Sequence, residues 1–98
     1  MLNAYRVLDL TDERGLICGQ MLADLGADVI QVEPPGGSPA RRIGPFYQGD
    51  YDPERSLTWW AYTRGKRSVE LDIDSNDGRA AFRQLVESAD FQIGRAHV

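Results

Sequence analysis

The sequence has little of what several function classes require. It holds one cysteine, Cys18, and one histidine, His97, so an intrachain disulfide is excluded and no spacing suits a metal site. A lone cysteine fits a reducing compartment, and the expected location is the cytoplasm. Acidic residues outnumber basic ones by 15 to 11, and a formal net charge of -4 lacks the basic excess that nucleic-acid binding domains carry. Long hydrophobic runs are missing as well. The opening MLNAYRVLDL has Arg6 and Asp9 inside its apolar part, which suits neither a signal peptide nor a membrane span, so no membrane partner is expected. Neither G-x-G-x-x-G nor a Walker A run occurs, and phosphate would have to be held by side chains and scattered amides.

What is present is an alternation of segments. With 98 residues, 42% of them hydrophobic, the chain suits one small domain with a modest core. YRVLDL (residues 5–10) reads as a buried strand, and residues 15–25 as a helix with Leu16, Ile17, Met21, Leu22 and Leu25 at helical spacing. Gly26 stands where a helix C-terminal glycine is expected. DVIQVE (28–33) is a second strand after a short connection. Residues 34–56 contain all five prolines and read as surface loop. SLTWWAYTRG follows as a short helix capped by Ser56 and stopped by Gly65. KRSVELDI is a third strand, alternating Val69, Leu71 and Ile73 with polar neighbours. Ser75 caps a further helix with an apolar stripe of Phe82, Leu85, Val86 and Ala89, and DFQI begins a fourth strand. The order βαβ, loop, βαβ predicts an α/β fold with a doubly wound, mainly parallel sheet.

Ligands of such sheets bind outside the carboxyl ends of the strands. The stretch VIQVEPPGGSPARR leaves the second strand at that edge and carries Arg41 and Arg42, whose planar forks suit phosphate. Gly36 and Gly37 would let backbone approach a ligand, and Pro34, Pro35 and Pro39 limit the entropy lost on ordering the loop. The ordinary alternative is a solvated pair of cations satisfied by Asp50 or Glu54. A second cluster, Arg64, Lys66 and Arg67, precedes the third strand, and with the first it would place five cations around one edge. An anionic ligand is the expectation.

Weaker candidates accompany these. Asp12 and Glu13 follow the first strand, where acids serve either catalysis or the helix dipole. Trp59, Trp60 and Tyr62 could line an acyl or adenine pocket, although large aromatics on a short helix more often belong to a core. Cys18 is expected to pack within the apolar face of the first helix.

Four separated motifs carry a resemblance. VLDLT, LADLGADVIQVEPPGGSPARRIGP, RGKRSVELDI and DGRAAFRQLVESADF, in this order, resemble the N-terminal part of a family III CoA-transferase, the CaiB/BaiF family of formyl-CoA transferase and α-methylacyl-CoA racemase. The resemblance implies a longer chain with a Rossmann-like large domain and an interlocked homodimer. It also implies acyl-CoA and carboxylic acid substrates, with coenzyme A lying along the carboxyl edge as substrate and no separate cofactor. By it, the CoA-binding residues are Arg41, Arg42, Leu71, Lys66 and Arg67, with Leu71 near the adenine. The turn of Asp12, Glu13 and Arg14 lies on the thioester side. Where the family often has a basic residue after the glutamate, Pro34 stands here, which shifts the phosphate role to Arg41 and Arg42.

The family's nucleophilic aspartate, which forms an acyl-anhydride by carboxylate chemistry, would lie downstream, so no residue here takes that role and these residues alone are expected to be inactive. Residues 1–92 are read as the N-terminal portion of the large domain. Residues 93–98, IGRAHV, are what a common sequencing adapter encodes in one frame (ATC GGA AGA GCA CAC GTC), and are read as a non-native tail. An acyl-CoA racemase or isomerase of the same family is the first alternative, and a stand-alone nucleotide-binding or interaction module the second.

Overall fold

A computed structural model describes residues 2–12 and 14–94. Its order is β1 (Arg6–Asp9), α1 (Leu16–Asp24), β2 (Asp28–Glu33), a 3-10 turn (Pro39–Arg42), α2 (Leu57–Thr63), β3 (Arg67–Glu70), α3 (Asn76–Ser88) and β4 (Phe91–Ile93). Every strand pairing is parallel, and the sheet runs β3-β2-β1-β4. The chain winds outward from β1 through β2 to β3, then crosses back over β1 to β4. That reversal between β1 and β4 is the switch point of a doubly wound sheet, as expected from the segment order.

Strand alternation divides the core into two faces. Val7 and Val29 point toward α1 and pack with Ala27, Leu22 and Ala23, while Leu8, Ile30 and Val32 are buried on the other face. α3 lies against β1. It turns Phe82, Leu85 and Ala89 inward at half-burial and leaves Val86 exposed. The helix limits follow their local signals. Gly26 takes φ 101, a left-handed value that ends α1, and the Ser56 and Ser75 hydroxyls accept from the amides of Trp59 and Gly78.

Three expectations change. β3 stops at Glu70, so Leu71 and Ile73 sit on the turn beyond it. The loop after β2 is partly ordered, because the Ser38 hydroxyl accepts from the Ala40 amide and caps a 3-10 turn that holds both arginines. α1 buries Leu16, Gly19 and Gln20 and exposes Ile17, Met21 and Cys18. Cys18 therefore does not pack in the core. Gly19 faces inward in its place, over a buried Asp9–Lys66 pair that a Cβ there would overlap.

Candidate functional site at the carboxyl edge

The strand exits converge on a cavity of about 540 Å³. Thr11 and Asp12 enter it from β1, Glu33, Pro35 and Ser38 from β2, Leu71, Asp72 and Asp74 from β3, and Gly94 from β4. Phe82 of α3 closes one side. Among the described residues that line it, none is a lysine or arginine, whereas Asp12, Glu33, Asp72 and Asp74 are carboxylates. Cations stand around this cavity instead of inside it.

Glu33 shapes one wall. Its Oε1 accepts from the Ser38 amide at 2.8 Å and from Arg41 Nε at 2.6 Å, and its Oε2 accepts from Arg41 Nη2 at 2.9 Å. Burial pushes the Glu33 carboxyl up, but the Arg41 guanidinium and the Ser38 amide outweigh this and hold it below the usual glutamate value. The Arg41 guanidinium also lies 4.4 Å from the ring centroid of Trp59. Gly37 has φ 90, and a Cβ there would press on Arg41 Cδ at 2.9 Å, so the glycine serves the turn and the packing of Arg41. Arg41 reaches Glu54 at 3.4 Å, one of the two acids the sequence offers it. Arg42 is exposed and pairs with no described acid. Of two adjacent arginines, one is thus engaged and half-buried and the other is exposed.

At the β1 exit, Asp12 and Arg14 come together. The Arg14 amide donates to Asp12 Oδ1 at 3.0 Å and its Nη2 donates to Oδ2 at 2.8 Å. The Arg14 amide, then its guanidinium, keep the Asp12 carboxyl below the usual aspartate value. Glu13 lies outside the described residues, as do residues 95–98 with His97. Leu71 lines the cavity, and its amide donates to the Glu33 carbonyl at 2.9 Å.

The second cation cluster is elsewhere, which corrects the expectation of five cations on one edge. In a parallel sheet all strand entrances lie at the end opposite the exits. Arg67 opens β3 at that far end, where Asp28 accepts both Arg67 Nη2 at 2.6 Å and Arg6 Nε at 2.9 Å. Arg64 stands 3.9 Å from Asp24 on the surface. Lys66 is inside the protein with only 1% of its side chain exposed, and Nζ donates to Asp9 Oδ2 at 2.9 Å, Gln31 Oε1 at 3.0 Å and the Leu16 carbonyl at 3.1 Å. An ammonium has three donors, and all three are taken. Lys66 and Arg67 accordingly do not reach the cavity. Nor do the aromatics of α2: Trp59 packs with Leu16 and Ala40, and Trp60 is exposed with its indole donating to the Glu54 carbonyl.

The sequence does not pair Asp9 and Gln31 with Lys66, although a signal existed. Each is a polar residue directly beside an apolar run, Val7–Leu8 or Val29–Ile30, and a buried polar side chain implies a partner.

Strand order, switch point and an edge cavity together define a doubly wound α/β domain of the class that binds ligands beyond its strand ends. Residues 2–94 match CoA-transferase family III, and the chain belongs to that family. It is 42% identical over 91 residues to the succinyl-CoA:(R)-benzylsuccinate CoA-transferase subunit BbsE of Thauera aromatica, covering 93% of this chain and 22% of that protein. To the succinyl-CoA:mesaconate CoA-transferase of Haloarcula hispanica it is 44% identical over 90 residues, 91% of this chain and 23% of the relative. A crystal structure of a CAIB/BAIF family protein from Brucella suis superposes with a TM-score of 0.82 at 38% identity, covering 95% of this chain and 25% of that one. The chain thus spans about a quarter or less of the length of these relatives.

Proposed function

We propose that this chain is the N-terminal, CoA-binding portion of an enzyme that moves CoA from an acyl-CoA to a carboxylic acid. The observation that carries the reading is the unbroken family match over residues 2–94, on a sheet whose strand exits enclose a cavity. Coenzyme A enters as a substrate. Leu71 on the cavity wall supports an adenine contact, exposed Arg42 supports a phosphate contact at the rim, and Asp12 with Arg14 supports a thioester-side turn. Arg41, Lys66 and Arg67 have their charges engaged within the protein, and the CoA contact is assigned to Arg42 in their place. Both curated relatives above are named for a succinyl-CoA donor, which favours transfer over racemisation and makes succinyl-CoA the first donor to try. The nucleophilic carboxylate belongs to a part of the enzyme beyond these residues. The complete enzyme is proposed to be an interlocked homodimer of the cytoplasm, and no helix among the described residues is long and apolar enough to cross a membrane.

The test starts at the source gene, read past Gln92, which also decides whether residues 93–98 are native. The complete product is then incubated with succinyl-CoA and a panel of carboxylic acids, with products separated by chromatography. Succinate and a new acyl-CoA should form in equal amounts. Inversion of a chiral acyl-CoA without an acceptor would support the racemase instead.

A further inference from the structure

The Asp9–Lys66 pair lies beneath the cavity wall, and its connections run toward the β1 exit. Asp9 Oδ2 takes Lys66, while Oδ1 accepts from the Thr11 amide at 2.9 Å and from the Thr11 hydroxyl at 2.6 Å. The Thr11 carbonyl in turn accepts from Gln31 Nε2 at 2.9 Å, and Gln31 Oε1 accepts from Lys66 at 3.0 Å. Every polar group of Thr11 is therefore held by one closed set of buried side chains. Thr11 is the last buried residue before Asp12, and both line the cavity.

A pair needed only for stability has a simpler form. Replacing buried ions by apolar side chains of similar volume is often neutral or stabilising, so charge here is not explained by stability alone. The geometry adds a cost as well, since a Cβ at Gly19 would overlap the Asp9 carboxylate and crowd Lys66 Nζ. α1 thus carries a glycine in its interior, an unfavourable helix residue, to make room for the pair. What the ions give in return is direction. Asp9 presents one oxygen to Lys66 and the other to Thr11, and this fixes the backbone on which Asp12 and Arg14 stand.

We propose that Asp9, Lys66 and Gln31 are positioning residues that lock the β1–α1 turn against the cavity, so that its contacts with a bound ligand are preorganised. The part of the inference that concerns ligand rests on the proposed CoA reading. The lock itself does not.

The experiment uses the complete source-gene product and the double variant Asp9→Leu/Lys66→Met, which removes both charges at similar volume. The double variant should melt within a few degrees of the wild type. Its Thr11, Arg14 and Gly15 amides should exchange hydrogen at least about tenfold faster, because Thr11 loses its acceptor and turns toward water. CoA should bind about tenfold more weakly through faster dissociation. Wild-type exchange in this turn would overturn the lock, whatever the ligand. Fast exchange with unchanged CoA affinity would overturn its link to ligand. Absence of CoA binding by the wild type would instead remove the functional reading and leave the exchange result standing. If the double variant fails to fold, Thr11→Val carries the same test: it should loosen the turn while Thr11→Ser, which keeps the hydroxyl, restores it. Equal exchange in the two Thr11 variants would count against the lock.

Discussion

Two strands end in a buried carboxylate bound to a cation, and the two pairs are built differently. Asp9 at the end of β1 meets Lys66 from 57 positions away, with 0% and 1% of the side chains exposed. Glu33 at the end of β2 meets Arg41 only 8 positions on, with 5% and 14% exposed. The first cation is a compact ammonium whose donors diverge to β1, β2 and α1. The second is a planar fork that binds Glu33 through two nitrogens, reaches Glu54 with the third and lies over Trp59. Range and geometry therefore divide the work: the distant pair fixes how elements pack, and the local pair fixes the shape of one loop beside the cavity.

The sharpest way to break this comparison is Lys66→Met alone. It leaves the Asp9 carboxyl sealed without its cation, and should cost about 3–5 kcal/mol in denaturant unfolding. A loss under about 1 kcal/mol, the scale of an exposed pair, would show that the site is wetter than its burial indicates. Gly19→Ala tests the same pair from the helix side. The added methyl must displace the carboxylate or lift α1, for a loss of about 1–3 kcal/mol, and an unchanged melting temperature would deny the close approach.

The local pair answers to pH. Glu33 titrates below its ordinary value of 4.5, so its contribution is fully present above that value and is lost as pH falls through the lower value of the folded state. Melting temperature measured from pH 6 down to about pH 2 should fall less steeply in Glu33→Gln than in the wild type over that acid window. Parallel slopes would mean that Arg41 does not hold the carboxylate in solution. The smallest effect is expected at Arg42→Ala, within about 0.5 kcal/mol in stability because the side chain is exposed and unpaired among the described residues. The same variant of the complete enzyme should bind CoA more weakly and with a flatter salt dependence, which calorimetry at two ionic strengths would read.

Much of the scaffold was legible along the chain. Apolar runs, the serines at positions 56 and 75 and the glycine at position 26 each act within a few residues of themselves, so their consequences can be read locally. The cavity was legible in outline, since the loop after β2 had to leave the carboxyl edge. The fate of individual cations was not. Arg41 and Arg42 are neighbours in sequence, yet one is drawn inward by Glu33 and the other left outside, a choice made by the 3-10 turn that Ser38 caps. Lys66 reads as a strand-end charge until Asp9, Gln31 and the start of α1 are brought around it. Arg67 could have been assigned away from the cavity from topology alone, because a parallel strand enters at the end opposite its own exit.

The span of the Asp9–Lys66 pair also bears on how the chain is made. Synthesis runs from the N-terminus, and β1 emerges long before residue 66 does. Until then, seating α1 on the first two strands would bury the Asp9 carboxylate with Thr11 as its partner and without its cation. One aspartate thus ties the first strand to a residue 57 positions later, so the native packing of the early sheet is complete only when both are present.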